Sequence, residues 1–255
     1  MQALDRASCD IIAGHYANRG HQIHARWKLA HDPVYAVTAE LLRHARLPLL
    51  DIGCGIGLLG QYLHAVGVLS NYIGLDHDAR KITAALAAAR QGRFEQSVQL
   101  SSADVATLPA TRGHVALLDV LHYLPADRQH SLLMSAATLL APNGILVIRN
   151  VLREPNWRFH ATRLEEFFLT VSGWIPGGAQ HYPTAAEVRG PLESAGLDVR
   201  IESLRGRTPY NSYLIVAQPR HGADSSAVTR QPFRLADAKA DAAPLDQLYS
   251  SAQSL

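Results

Sequence analysis

The stretch Leu49-Leu50-Asp51-Ile52-Gly53-Cys54-Gly55-Ile56-Gly57-Leu58-Leu59-Gly60 carries the reading of this chain. The run from Pro48 to Gly53 is a short apolar strand ending near an acid, alternating glycines follow it, and a leucine-rich helix follows them. Glycine lets a backbone come close to a ligand where a Cβ would clash. The helix opening behind the turn presents unpaired N–H groups to an anionic group. Asp51, one step before the glycines, suits a ligand that also carries positive charge.

Working outward, Asp32-Pro33 opens a helix whose Val34, Val37, Leu41 and Leu42 recur at helical spacing and lead into the first strand. Leu58, Leu59, Tyr62, Leu63 and Val66 give the helix after the glycines one apolar face, and Gly67 ends it. A second strand, Asn71 to Asp76, finishes in an acid, and Asp78 caps the helix carrying Ile82, Ala85, Leu86 and Ala89. Short strands are expected at Val98 to Leu100 and Val115 to Val120. A helix marked by Leu132, Leu133, Ala136, Leu139 and Leu140 stops at Pro142-Asn143-Gly144, and Ile145 to Ile148 is a buried strand. Thr184-Ala185-Ala186-Glu187 is a capping box, Gly196 closes its helix, and the last strands near Val199 to Leu204 and Tyr213 to Ala217 form an antiparallel edge pair. Strands separated mostly by helices make an α/β, doubly wound sheet, with ligands beyond the carboxyl ends of the strands. Asp51, Asp76, Asp104 and Asp119 all fall at or just after strand ends, although any one of them alone is an ordinary cap or turn residue.

Two ligands fit the glycine turn. Gly55 to Gly60 satisfies the dinucleotide pattern G-x-G-x-x-G, with Asp76 placed for a ribose, which would make the chain an NAD-binding oxidoreductase. A pyrophosphate gains nothing from a carboxylate at the mouth of its loop, however, whereas the sulfonium and ammonium of S-adenosylmethionine (SAM) do. SAM is the expected cofactor, and a glycine turn that holds no ligand is the plain alternative.

Composition sets bounds. The 255 residues are 47% hydrophobic and 18% charged, as in an ordinary globular chain, and the net charge of +2 argues against a dedicated nucleic-acid binder or a polybasic membrane anchor. Cys9 and Cys54 are the only cysteines, so there is no disulfide framework and no cysteine zinc set. No apolar run reaches bilayer length and Met1 to Arg6 has no signal core, so a cytoplasmic location is expected. Thirteen histidines are unusual, and His15, His21, His24 and His31 crowd the N-terminal region. No carboxylate or cysteine completes a ligand set there, so no metal is expected. Three parts are anticipated: a helical lead-in over 1–33, a ligand-binding domain over 34–219 with a cap at 151–183, and a flexible tail over 220–255 low in large apolar groups.

With the acid-glycine turn, the acid-ended second strand and Asp119-Val120-Leu121-His122-Tyr123-Leu124-Pro125 in place, the chain resembles class I SAM-dependent methyltransferases from about Val34 to Pro219. The resemblance implies a Rossmann-like seven-stranded sheet with a reversed last strand. It implies Asp51 and the backbone of Gly53, Cys54, Gly55 and Gly57 around the methionine moiety, and Asp76, with His77 beside it, at the ribose. Asp104 and Val105 would border the adenine, while Asp119 and Val120 would face the amino acid end or the reaction centre. Lys28 or Arg26 could pair with the cofactor carboxylate. Tyr16-Ala17-Asn18-Arg19-Gly20, Lys28-Leu29, Asp32-Pro33-Val34 and Thr208-Pro209-Tyr210-Asn211 look like methyltransferases of aryl-polyene and xanthomonadin-type pigment clusters. That likeness implies an aromatic acceptor, free or held on an acyl carrier protein.

A sulfonium methyl is already activated, so the enzyme's work is to align donor and acceptor and exclude water. A base matters only if the acceptor must lose a proton, as a phenol must. His122 follows the fourth strand onto the ligand rim and is the candidate base, with anchoring of its loop as the equal alternative. Tyr123, His160, Trp174 and His181 are the candidate acceptor contacts, the last three within the expected cap. No Asp/Asn-Pro-Pro-aromatic run follows the fourth strand and no Pro-Cys pair exists, which argues against nucleobase amines and pyrimidine carbons as acceptors. O- or C-methylation of a small molecule is the expectation, with a SAM-binding module lacking catalysis as the other class.

Overall fold

Seven strands build one sheet: β1 (Leu49–Ile52), β2 (Tyr72–Asp76), β3 (Val98–Ser102), β4 (His114–Leu118), β5 (Leu146–Val151), β6 (Leu197–Ser203) and β7 (Ser212–Pro219). They come from a computed structural model that describes residues 4–104, 108–154, 159, 178–204 and 211–220. The order is β3-β2-β1-β4-β5-β7-β6. The first five strands are parallel to one another, while β7 lies antiparallel between β5 and β6. A dinucleotide fold runs its sixth strand parallel beside the fifth. The inserted antiparallel β7 is the reversed last strand expected above.

The strands read as buried runs because helices cover both faces. Side chains alternate between two cores: in β4, Val115 and Leu117 pack on one face and Ala116 on the other; in β5, Leu146 and Ile148 oppose Val147. Helices α1 (Arg6–Gly14), α2 (Arg19–His31), α3 (Val34–Leu42), α4 (Leu58–Ala65) and α5 (Ala79–Gln91) line the first core. Helices α6 (Ala126–Thr138) and α7 (Ala185–Ser194) line the second. Caps sit where the sequence signals them: Asp78 accepts from the Arg80 N–H at 2.9 Å, and Thr184 and Glu187 cap each other reciprocally. No helix among the described residues is long and apolar enough to cross a membrane.

Two strand ends that differ from expectation bear on the site. β4 stops at Leu118 because Asp119 takes a left-handed backbone (φ 62°), though its N–H still bonds to the Arg149 carbonyl at 2.8 Å. β5 continues past Ile148 through Arg149 and Asn150, which pair with Leu214 and Tyr213 of β7. The strand is thus prolonged by its neighbour rather than by its own hydrophobicity. Most of the expected cap at 151–183, with His160 and Trp174, lies outside the described residues, as do Val105, Thr208 to Tyr210 and the tail beyond Arg220.

Candidate active site

The sheet order reverses between β1 and β4, and the crevice beyond their carboxyl ends is where ligands bind in such sheets. The glycine turn occupies it. Gly53, Gly55 and Gly57 all have left-handed backbones (φ 77°, 56° and 72°). A Cβ on Gly53 would fall 2.4 Å from Val120 Cγ2, whereas one on Gly55 would meet nothing within 4 Å. Gly53 therefore closes the turn onto the segment after β4, and Gly55 leaves open space. Gly53→Ala combines backbone strain with this clash, and we expect SAM affinity to fall about tenfold for a cost of about 1–3 kcal/mol. Calorimetry with SAM checks it, against an unchanged Gly14→Ala control, since Gly14 has no atom within 4 Å of its would-be Cβ.

Asp51 is internal to β1 and only 2% exposed. Tyr72, the first residue of β2, donates its phenol to Oδ2 at 2.5 Å, while buried Oδ1 has no hydrogen-bond partner among the described residues. Burial pushes this carboxyl up to about 7; the Tyr72 hydrogen bond opposes that shift and Asp76 adds to it. Asp76 ends β2 and is 6% exposed. Its Oδ2 accepts from Gly55 N–H and its Oδ1 from Asp78 N–H, both at 2.9 Å, so it braces the turn. His77 is exposed, with Nδ1 3.5 Å from Asp76 Oδ1. Cys54 is buried in the turn, and both its N–H and that of Gly53 donate to the Leu75 carbonyl. These two amides hold the turn on β2.

A group carrying both an ammonium and a sulfonium suits an orphaned buried carboxylate oxygen beside an open glycine cradle. The observed residues fit SAM on that ground. The N-terminal helices lie against the same turn: Tyr16 donates its hydroxyl to the Ile56 carbonyl at 3.1 Å, and His15 Nδ1 lies 2.8 Å from Gln61 Oε1.

Lys28 and Asp119 belong to one charge cluster. The Lys28 ammonium lies 3.1 Å from Asp32 and 3.4 Å from Asp119, and Arg149 bridges the same two carboxylates while donating to Ser212 Oγ at 3.0 Å. Lys28 and Asp119 are thus engaged with protein charges. Burial alone would raise Asp32 and Asp119, but Arg149 and Lys28 outweigh it and hold both below the usual carboxylate range. Arg26 is paired with Asp10. Asp104 is two-thirds exposed and 3.8 Å from Arg128, so its side chain is turned to solvent rather than enclosed with Asp51 and Asp76.

His122 sits in the single turn Leu121–Tyr123 that follows Val120. It is 2% exposed, and its Nδ1 lies 2.9 Å from Asn150 Oδ1. Asn150 spends its amide N–H on the Val151 carbonyl at 2.8 Å, which fixes its oxygen toward the imidazole. In the neutral ring Nδ1 then carries the proton and Nε2 the lone pair. Tyr123 packs against His122 at 4.0 Å between ring centroids, and Tyr182 lies parallel to it at 6.0 Å. Gln129 ties this turn down by donating to the carbonyls of Leu121, Leu124 and His181. His181 Nε2 lies 3.3 Å from Glu187, an ion pair when the ring is protonated. Among the described residues no cluster of histidine, cysteine or carboxylate side chains could hold a metal.

Sequence reasoning passed over Arg149, Asn150 and Tyr72. A charge and an amide directly after a buried apolar run were the available signal for the first two. A tyrosine opening a strand gave none.

A family profile described as a methyltransferase domain matches residues 21–201, most of the chain. The chain belongs to the methyltransferase-domain family. Its cofactor is accordingly SAM. A curated relative, the ubiquinone biosynthesis O-methyltransferase of Rhodopseudomonas palustris (strain HaA2), is 29% identical over 163 residues, covering 62% of this chain and 60% of the relative. The chain therefore spans about three-fifths of the length of the curated relatives it matches. Among solved structures, an O-methyltransferase family protein from Burkholderia thailandensis aligns with a TM-score of 0.60 at 21% identity, covering 81% of this chain and 62% of the other. The magnesium protoporphyrin IX methyltransferase of Synechocystis PCC 6803, solved with bound SAH (S-adenosylhomocysteine), aligns at 0.57 and 19% identity, over 80% and 88% of the two chains. These structures share the methyltransferase's fold.

Proposed function

We propose that this methyltransferase moves the methyl group of SAM to a phenolic oxygen of a small aromatic acceptor, with His122 as the base. The observation that carries the proposal is the His122–Asn150 pair: a buried imidazole whose tautomer is set by an asparagine, two residues beyond the Val120 that packs on the glycine turn. When bound, SAM supplies an activated methyl and leaves as SAH. Asp51 accepts from the cofactor's ammonium, Asp76 braces the turn and accepts from the ribose, and Val120 closes the floor. Tyr123 and His181 line the acceptor side. His122 Nε2 takes the phenol proton as the oxygen attacks in line, and Asn150 keeps Nδ1–H directed away from the acceptor.

The curated relative's name, an O-methyltransferase of ubiquinone biosynthesis, favours oxygen over carbon as the acceptor atom. The pigment-cluster likeness favours an aromatic head group, free or on a carrier protein. One feature favours a second role for His122: its carbonyl accepts from the N–H groups of Gln180 and His181, so the residue also pins the following segment.

The test is incubation with SAM and a panel of phenols, catechols and hydroxyaryl acids, both free and loaded on an acyl carrier protein, with SAH and methylated product read by mass spectrometry. The expected result is stoichiometric SAH and O-methyl ether from at least one phenolic class. SAM binding without product from any acceptor would identify a binding module; methylation confined to ring carbon would remove the phenolate step.

A further inference from the structure

Tyr72 is a fully buried phenol in the first position of β2, 1% exposed. Its ring occupies space that two glycines leave. A Cβ on Gly60 of α4 would approach the ring at 3.2 Å, and one on Gly74, two residues along β2, would approach it at 3.0 Å. The ring is thereby set beneath the glycine turn, and its hydroxyl ends 2.5 Å from Asp51 Oδ2. The other oxygen, Oδ1, is buried and has no partner among the described residues. A buried carboxylate half-satisfied by a phenol is a costly arrangement unless a ligand completes it.

We propose that Tyr72 is a positioning residue for cofactor binding: its hydroxyl holds Asp51 through Oδ2, so that the ionised carboxylate presents Oδ1 to the ammonium of SAM. The inference rests on the assignment of Asp51 to the cofactor. It makes binding and deprotonation of Asp51 one event. Without ligand, the buried carboxyl, pushed up to about 7, is half protonated at neutral pH. Bound ammonium requires the carboxylate, so affinity rises with pH through that region and a proton leaves.

The titratable groups around Asp51 are Tyr72 on β2, Asp76 at the end of β2 and Cys54 in the turn. Tyr16 faces Tyr72, and Lys81 of α5 faces Cys54. Burial pushes Tyr72, Cys54 and Tyr16 above their ordinary values, so these three stay neutral across the range concerned. The cofactor's own α-amino group, with an ordinary pKa of about 8, sets a falling limb at higher pH that all variants share.

The experiment is calorimetric titration of SAH between pH 5.5 and 8.5 into the parent, Tyr72→Phe and Asp51→Asn proteins, in buffers of different ionisation enthalpy to count released protons. Phenylalanine keeps the ring against Gly60 and Gly74 and deletes only the donor. Loss of one hydrogen bond to the charged form raises the Asp51 midpoint by about one unit. The expected Tyr72→Phe protein then binds SAH about fivefold more weakly at pH 7, approaches the parent above pH 8, and releases more protons at pH 7 than the parent does. Turnover at saturating SAM stays within about twofold, because the chemical step does not use the phenol. Asp51→Asn binds weakly with no rising limb. Coincident limbs for Tyr72→Phe and parent, with Asp51→Asn flat, would overturn the Tyr72 proposal alone. A rising limb retained in Asp51→Asn would overturn the Asp51 assignment beneath it. Loss of fold in Tyr72→Phe also counts against the proposal, since it would make the hydroxyl structural.

Discussion

An Arg149→Met protein is expected to unfold about 10 °C below the parent at pH 7. The guanidinium is buried at the end of β5 and bridges Asp32, just after α2, and Asp119, just after β4, while Lys28 touches both from α2. Methionine fills the space but leaves two enclosed carboxylates with one ammonium between them. Removing one partner of a buried ion pair costs about 3–5 kcal/mol, chiefly through the charge left behind. A domain of this size loses about 2–4 °C per kcal/mol. The pH dependence separates this cause from simple repacking. Asp32 and Asp119 have folded-state pKa values below their unfolded ones, so their contribution is present above the ordinary carboxylate range and disappears as pH falls through the depressed values. The gap between parent and variant should therefore be widest at neutral pH and narrow as pH falls below about 4. Melting curves at pH 7 and pH 3.5 read it; a gap that is the same at both would mean that packing, not charge, is what Arg149 provides. Adding Asp32→Asn and Asp119→Asn to the variant should restore much of the loss at pH 7.

His122→Ala is expected to lower kcat by about 10²–10⁴-fold, the usual worth of a positioned base. SAM affinity should stay within about threefold of the parent, because the imidazole hydrogen bonds to Asn150 and stacks with Tyr123 and Tyr182 rather than with the glycine turn. The second role of His122, as an anchor for Gln180 and His181, operates through its backbone carbonyl, which alanine retains. A loss of turnover in His122→Ala is thus a loss of the ring. The discriminating observation is the acceptor's acidity: activity of the variant should recover with nitrophenol-like acceptors already ionised at neutral pH. A variant that turns over at the parent's rate on an ordinary phenol removes His122 as the base and leaves it an anchor. Asn150→Leu, which releases the tautomer without touching the acceptor, should fall between parent and alanine variant in kcat and leave the Kd for SAM unchanged.

Much of this fold was legible because the signals are local. The acid-glycine turn, the acid at the end of β2, the Asp78 cap and the Thr184–Glu187 box each act within a few residues, and the structure reproduces them. What was not legible is what long-range contacts decide. Asp119 was read as the end of a strand, but Arg149 and Lys28 converge on its side chain from distant elements. Lys28 was assigned to the cofactor from charge alone; only the fold brings Asp32 and Asp119 to it. Asp51 was read as a rim acid, whereas β2 and β4 flank it in the sheet and its environment is interior. Tyr72 was invisible for the same reason, since Gly60, Gly74 and Asp51 meet its ring only after β1, β2 and α4 have packed.

The reversed β7 has a bearing on how this protein is handled. Its first residues lie beside Val151 at the reaction edge of the sheet, and its last, Pro219, pairs with Leu197 at the opposite edge, where the Arg220 N–H reaches the Gly196 carbonyl. A label placed at the turn where Gly196 and Arg220 meet therefore sits on the side remote from the chemistry. The length of a strand separates it from the reactants, which makes that end of the sheet the quieter place for immobilisation.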